Sequence, residues 1–253
     1  AQKVGQRGVL SLSGVSFNYG EWEITTTSSP EGTGQVINPS ALNIGVGYAQ
    51  RFTDNILGGV NIKMVSNQIS NLSALGICFD AGVQYHTGDE KEFKFGITLR
   101  NVGPSIQYNG DGQSLTLPVP TSGYSQTFES RTSQFELPTQ LGMGVSYDIN
   151  FEGDLRLTPA LAFTSNSFQS DFINVGAEFA YKTWFMVRAG YAAEYGGKEV
   201  GFERSGAVTG LTGGISFNAP VSKTGSYFGV DYTYRATNPF SGIHTIGIRF
   251  SLQ

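Results

Sequence analysis

Apolar positions alternate with small or polar ones along most of this chain, and the alternation is clearest in residues 140–164. Leu141, Met143, Val145, Tyr147 and Ile149 share one parity, against Gly142, Gly144, Ser146, Asp148 and Asn150. After the break Phe151-Glu152-Gly153-Asp154, Leu155, Leu157, Leu161 and Phe163 repeat the pattern against Arg156, Thr158, Ala160 and Ala162. Side chains of a strand point to opposite faces in turn, so this stretch predicts a hairpin with one greasy and one wet face. About thirteen such runs are expected: residues 9–18, 22–27, 41–51, 56–67, 74–85, 93–101, 140–150, 155–164, 172–181, 185–195, 210–218, 226–234 and 244–252. Several are about ten residues long, which a tilted strand needs to cross a membrane, whereas soluble strands average nearer five or six. No stretch sustains a helical period.

The charges obey the same pattern. Asp80, Lys94, Arg100, Asp148, Arg156, Arg188, Asp231 and Arg249 fall on the small-residue parity. Glu178 falls in register with Phe172, Asn174 and Gly176, opposite Ile173, Val175, Ala177 and Phe179, and belongs to the same side. Lipid cannot solvate such groups, so the apolar parity faces outward and these charges face the lumen of a barrel. Their mixed signs favour a salt-bridged filling of the lumen over a polar path for a ligand. Cys78 shares that face and reads as a small space-filler.

The connections alternate short and long. Short ones are expected at 18–21, 52–55, 86–92, 151–154, 182–184 and 219–225, longer ones at 28–40, 68–73, 102–139, 165–171, 196–209 and 235–243. Outer-membrane barrels have short periplasmic turns and long extracellular loops. Counting back from a periplasmic C-terminus through thirteen strands starts Val9 at the extracellular side. Bacterial single-chain barrels close with even strand numbers, so at least one strand upstream of this chain is expected. Tyr19, Trp22, Phe52, Tyr85, Phe93, Tyr147, Phe151, Tyr181, Trp184, Phe185, Tyr195 and Tyr227 cluster near strand ends and would form aromatic girdles.

Composition agrees. Charged residues are 14%, aromatics 13%, and Gly supplies 34 of 253 positions; a soluble domain carries roughly 25% charge. The net charge of −4 argues against nucleic acid. The lone Cys78 excludes an internal disulfide and a cysteine-rich zinc site. No apolar run approaches the ~20 residues of a membrane helix. The two histidines, His86 and His244, would lie at opposite membrane faces, and no hydrolase elbow, zinc or phosphate-loop motif occurs. No enzyme, cofactor or metal is expected.

The whole chain, residues 1–253, reads as a single barrel domain, and its long extracellular loop 102–139 is the foremost candidate site. Leu115, Leu117, Val119, Tyr124, Phe128 and Phe135 give that loop an apolar surface, and Pro118, Pro120 and Pro138 stiffen it. Loops of this length cap a barrel or bind a partner. Tyr195, Phe202 and Phe240 would lie on the same side and extend the surface.

Residues 17–65, 76–108 and 242–253 resemble the PorV/PorQ family of outer-membrane proteins. The matching features are Tyr19-Gly20-Glu21, Pro30-Glu31-Gly32-Thr33-Gly34, the turn 48–54, the strand Phe79-Asp80-Ala81-Gly82, and Arg100-Asn101-Val102-Gly103-Pro104. The resemblance implies an all-β, transmembrane antiparallel barrel of about 14 strands, related to the long-chain fatty-acid transporters. It also implies an N-terminal hatch and first strand that are expected to be missing from this chain. It further implies a role in the type IX secretion system of Bacteroidetes, with the large translocon barrel and secreted cargo as partners beside outer-membrane lipid. The alternative expectation is a transporter of hydrophobic small molecules.

Overall fold

The computed structural model describes residues 1–110, 114–118, 124–129, 132–195, 209–221, 226–237 and 240–251. Among them the regular elements are all β-strands. They are β1 (Gln2–Val4), β2 (Gly8–Asn18), β3 (Trp22–Glu23), β4 (Val36–Ile37), β5 (Ser40–Arg51), β6 (Ile56–Ile69), β7 (Leu72–Thr87), β8 (Phe93–Val102) and β9 (Ser114–Pro118). There follow β10 (Ser125–Glu129), β11 (Gln140–Tyr147), β12 (Ile149–Phe151), β13 (Leu155–Asn166), β14 (Asp171–Tyr181), β15 (Phe185–Tyr195), β16 (Gly210–Pro220), β17 (Tyr227–Arg235) and β18 (Ile243–Ser251). The described strands form one 14-stranded sheet in the order β1-β2-β5-β6-β7-β8-β11-β13-β14-β15-β16-β17-β18, with β12 also on β13. Two small sheets stand apart, β3 with β4 and β9 with β10. Nearly every strand pairs with its sequence neighbour, as in a meander.

The chain divides into two compact units. The first comprises Ala1–Arg51, Gly58–Ala81 and Arg100–Thr139. Within it β2 pairs antiparallel with β5, Ser11 opposite Gly47 and Ser13 opposite Gly45, and both hydroxyls bond the glycine carbonyls they face. The expected strand at 22–27 is only two residues long in the structure, and it pairs with Val36–Ile37 instead of extending the main sheet. Its continuation is rich in hydroxyls that bond nearby backbone: Thr26 Oγ1 accepts from the Ser29 amide, and Thr33 Oγ1 donates to the Ile24 carbonyl. Such local bonds compete with a strand ladder. Gly32 and Gly34, both at positive φ, then turn the chain. With that strand gone, β2 begins beside the end of β5, where the Arg51 amide bonds the Arg7 carbonyl. The strand parity therefore shifts by one from the sequence expectation, and residues 19–39 become one long excursion. Conversely, β6 and β7 are joined by Ser70 and Asn71 alone, where a longer loop was expected.

The second unit comprises Phe52–Leu57, Gly82–Leu99 and Gln140–Gln253. Its hairpin β11–β13 carries Met143 opposite Phe163 and Val145 opposite Leu161, in the register that the alternation predicts. The ladder continues through β14, β15, β16, β17 and β18 without a skipped partner. Turns 152–154 and 182–184 close by left-handed residues, Gly153 with Asp154 and then Lys182.

The apolar face is uncovered. Leu75 is 65% exposed, Ile77 61%, Leu211 68% and Ile246 75%. Keeping one such side chain from water is worth about 1.5–3 kcal/mol, so a whole face of them requires hydrocarbon in place of water. Phe52, Tyr85, Phe93, Tyr147, Phe151, Tyr181, Trp184 and Phe185 are exposed at strand ends beside the short turns. The buried apolar residues among those described are few: Ala74, Cys78, Ile106, Leu137, Ala180 and Ala192.

Candidate functional site

In the first unit, the base of the loop after β8 folds onto the polar face of β7. Ile106 and Leu137 are buried against Ala74 and Cys78, with Val65, Tyr108 and Phe135 packed around them. Ile106 and Phe135 exchange backbone bonds of 2.8 and 2.9 Å, which makes the two arms of the loop a single stem. Tyr108 and Phe135 stack at 5.4 Å, and Asn109 pairs with Ser73 through two backbone bonds of 2.9 Å. Glycine makes the approach possible: a Cβ on Gly76 would strike Ile106 Cγ2.

The stem is tied down by polar contacts at its root. Asn101 holds a left-handed φ of 58°, which Asn tolerates better than most residues. Its amide donates to Asp80 Oδ1 at 2.9 Å, and its Nδ2 donates to the Pro138 carbonyl at 2.9 Å. Thr139 Oγ1 returns a bond to the Asn101 carbonyl. Lys63 pairs with Asp80 at 2.7 Å and also bonds Asn101 Oδ1, while Asn61 donates to Asp80 Oδ2. Asp80 thus holds Asn101, and Asn101 ties the two ends of the loop together. Asn61 and Lys63 were not singled out from the sequence, and Asn101 entered only as part of the resemblance motif at 100–104, with no role attached. For the first two, the same alternation carried the signal, since Val60, Ile62 and Met64 are exposed and Asn61 and Lys63 take the opposite parity.

Beyond the stem, β9 and β10 form a hairpin with Leu115 opposite Phe128 and Leu117 opposite Gln126. Tyr124 is 62% exposed and Phe128 49%. Phe135, which the sequence grouped with them, is committed to the stem. Val119 and Phe202 lie outside the described residues. Tyr195 and Phe240, in the second unit, are both well exposed.

The second unit gathers most of the remaining charges of the polar face. Glu178 binds two guanidiniums, Arg156 Nη2 at 2.7 Å and Arg188 Nε at 2.6 Å. Arg188 Nη1 donates to Ser216 Oγ at 2.6 Å, and Ser216 in turn donates to Asp231 Oδ1. Asp231 takes Arg249 at 2.7 Å, and Arg249 also reaches Asn218 Oδ1. The network crosses every strand from β13 to β18, with Ser216 and Asn218 as members the sequence did not flag. Nearby, Lys94 pairs with Asp148, whose other oxygen accepts from Thr158 at 2.7 Å. Arg100 is exposed and belongs to none of these groups. His244 is occupied by Tyr232, whose hydroxyl lies 2.8 Å from Nδ1.

Next to the Glu178–Arg188 pair lies a cavity of about 580 Å³. Its walls are small residues, among them Ala160, Ala162, Gly176, Gly190 and Gly214, with Arg235 at its edge. Such a volume falls in the range of small-ligand sites.

Comparison with known proteins places this geometry. No curated protein matches the chain. Among solved structures, the toluene transporter TbuX of Ralstonia pickettii aligns with a TM-score of 0.53 at 14% identity, over 96% of this chain and 76% of that one. A Pseudomonas aeruginosa FadL homologue aligns with a TM-score of 0.51 at 13% identity, over 93% of this chain and 68% of its own. At these identities the likeness is one of fold, that of outer-membrane β-barrels. Residues 37–250 match the family described as type IX secretion system membrane protein PorP/SprF. This agrees with the sequence resemblance on type IX secretion and the outer membrane, and gives PorP/SprF where the resemblance pointed to PorV/PorQ. The chain belongs to the PorP/SprF family of type IX secretion system membrane proteins.

Proposed function

We propose that this protein is a partner-binding barrel of the type IX secretion machinery. Its anchored loop between β8 and β11 would receive the translocon or the C-terminal signal domain of a cargo, in the manner the PorV/PorQ resemblance implies. The observation that carries this reading is the loop itself, held at its root by Asp80 and Asn101 while Tyr124 and Phe128 stay exposed at its hairpin. Holding a loop rigid lowers the ordering cost of binding, and exposed aromatics are the usual anchors of an interface. In this reading the long connections, the two-residue turn of Ser70 and Asn71 beside the loop stem, and Tyr195 and Phe240 are extracellular, the other short turns are periplasmic, and the charged face lines the lumen. Affinity purification of the tagged protein from native outer membranes tests it. The expected result is recovery of a very large barrel or of secreted cargo, lost when β9–β10 is replaced by a Gly-Ser linker that leaves the stem intact. A partner-free monomer holding a hydrophobic molecule would overturn it.

A second reading, transport of hydrophobic small molecules, is favoured by the small-walled cavity of about 580 Å³ and by the fold shared with the TbuX and FadL-type barrels. It requires that radiolabelled toluene or a long-chain fatty acid cross proteoliposomes carrying the protein faster than empty ones.

A further inference from the structure

A second cavity, of about 610 Å³, opens in the second unit among the strand ends beside turns 152–154 and 182–184. The charged side chains lining it are Arg156, Lys182 and Arg249, with Trp184 and Tyr227 as its aromatic walls. Among the described residues, no carboxylate lines it. Glu178 and Asp231 lie deeper on the face and are already divided: Glu178 between Arg156 and Arg188, Asp231 between Arg249 and Ser216. Two carboxylates thus answer three guanidiniums, before Lys182 is counted. The carboxylate nearest Lys182, Asp154, stands 3.6 Å away and is largely exposed, a pair of little strength. Arg156 engages Glu178 through Nη2, while its Nε is buried and has no hydrogen-bond partner among the described residues. The rest of the Arg156 side chain is not closed off, being 39% exposed, and the group that matches an accessible guanidinium is an oxyanion.

We propose that this cavity is a binding site for a small, multiply charged anion bearing phosphate or carboxylate groups. Arg249 already gives Nε and Nη2 to Asp231 and Arg156 gives Nη2 to Glu178, so each guanidinium meets the anion with its remaining Nη donors, and Lys182 adds a point charge. The space exceeds a single phosphate, which leaves room for a ligand that carries two or more anionic groups and lies against the Trp184 ring. The site opens on the polar face, opposite the exposed apolar side chains, so its ligand is a soluble anion and not a lipid headgroup. This inference stands apart from the reading of the long loop.

The chain has two tryptophans, Trp22 and Trp184. In a Trp22→Phe variant of the full chain in detergent micelles, Trp184 alone reports. Pyrophosphate and citrate, titrated at constant ionic strength, are expected to give a saturable change in its emission. Arg156→Gln and Lys182→Gln should each weaken that binding about tenfold, as loss of one charge-assisted hydrogen bond does, whereas Arg51→Gln, in the other unit, should not. Lys182 sits in an exposed turn, so its removal leaves the sheet intact, and Lys182→Arg should restore affinity. An emission change that does not saturate, or binding in the Arg156→Gln and Lys182→Gln variants as tight as without these substitutions, would overturn the proposal. So would binding seen only with phosphatidylglycerol vesicles.

Discussion

Glu178 is the residue on which the polar face of the second unit turns. It is the only acid in contact with both Arg156 and Arg188 among the described residues, so neutralising it leaves two guanidiniums facing each other without an anion. Glu178→Gln is expected to destabilise the protein by about 2–3 kcal/mol, measured by urea unfolding in detergent. Replacing Glu178 and Arg188 together by Met should recover part of that loss, because it removes one of the two stranded guanidiniums and leaves only Arg156. The position of Glu178 was legible in the sequence, since parity alone assigns it to the polar side. Its two partners were not, because alternation gives a residue's face and says nothing of register with the next strand. The role of Asn101 was illegible for a different reason: it depends on a left-handed backbone and a carbonyl in a distant arm, which the motif around it does not announce.

At the scale of elements, the loop stem makes a testable unit. Cys78 is 2% exposed and lies under Ile106 and Leu137. A Gly76→Val side chain would occupy the place of Ile106, and Asn101→Ala would loosen the link to Pro138. Both variants are expected to raise the rate of maleimide labelling of Cys78 by about tenfold or more, on the order of the 1–2 kcal/mol that such contacts contribute. Unchanged labelling would mean that the stem is not what shields the thiol. Most strands were readable because a face toward lipid and a face toward polar groups impose a strict period of two. The expected strand at 22–27 failed because only Trp22 and Ile24 carry that period, and the Thr and Ser residues that follow satisfy their own backbone.

For the whole molecule, the decisive property is that its apolar side chains point away from its polar network. Ile77→Arg is expected to reduce the yield of folded protein in the outer membrane, at a cost of about 2–4 kcal/mol near the bilayer midplane. Thr245→Arg, on the polar parity of β18, should be tolerated, with heat-dependent gel mobility as the readout for both. Fold class was legible because it depends on this global sorting. The proposed partner surface was less so, because Tyr124 and Phe128 lie in a segment with no periodicity, where the sequence could not separate them from Phe135 of the stem.

The meander has a last consequence, for how the chain can change. Because strands pair largely with sequence neighbours, the sheet can assemble hairpin by hairpin, and a loop's length enters only through its closure entropy. Doubling a loop costs about 0.6 kcal/mol, little beside the ladders on either side. The segment beyond the Ile106–Phe135 clasp can therefore lengthen, shorten or be exchanged with almost no effect on the rate or yield of barrel formation. If the loop holds a partner as proposed, the choice of partner is free to drift while the frame stays still.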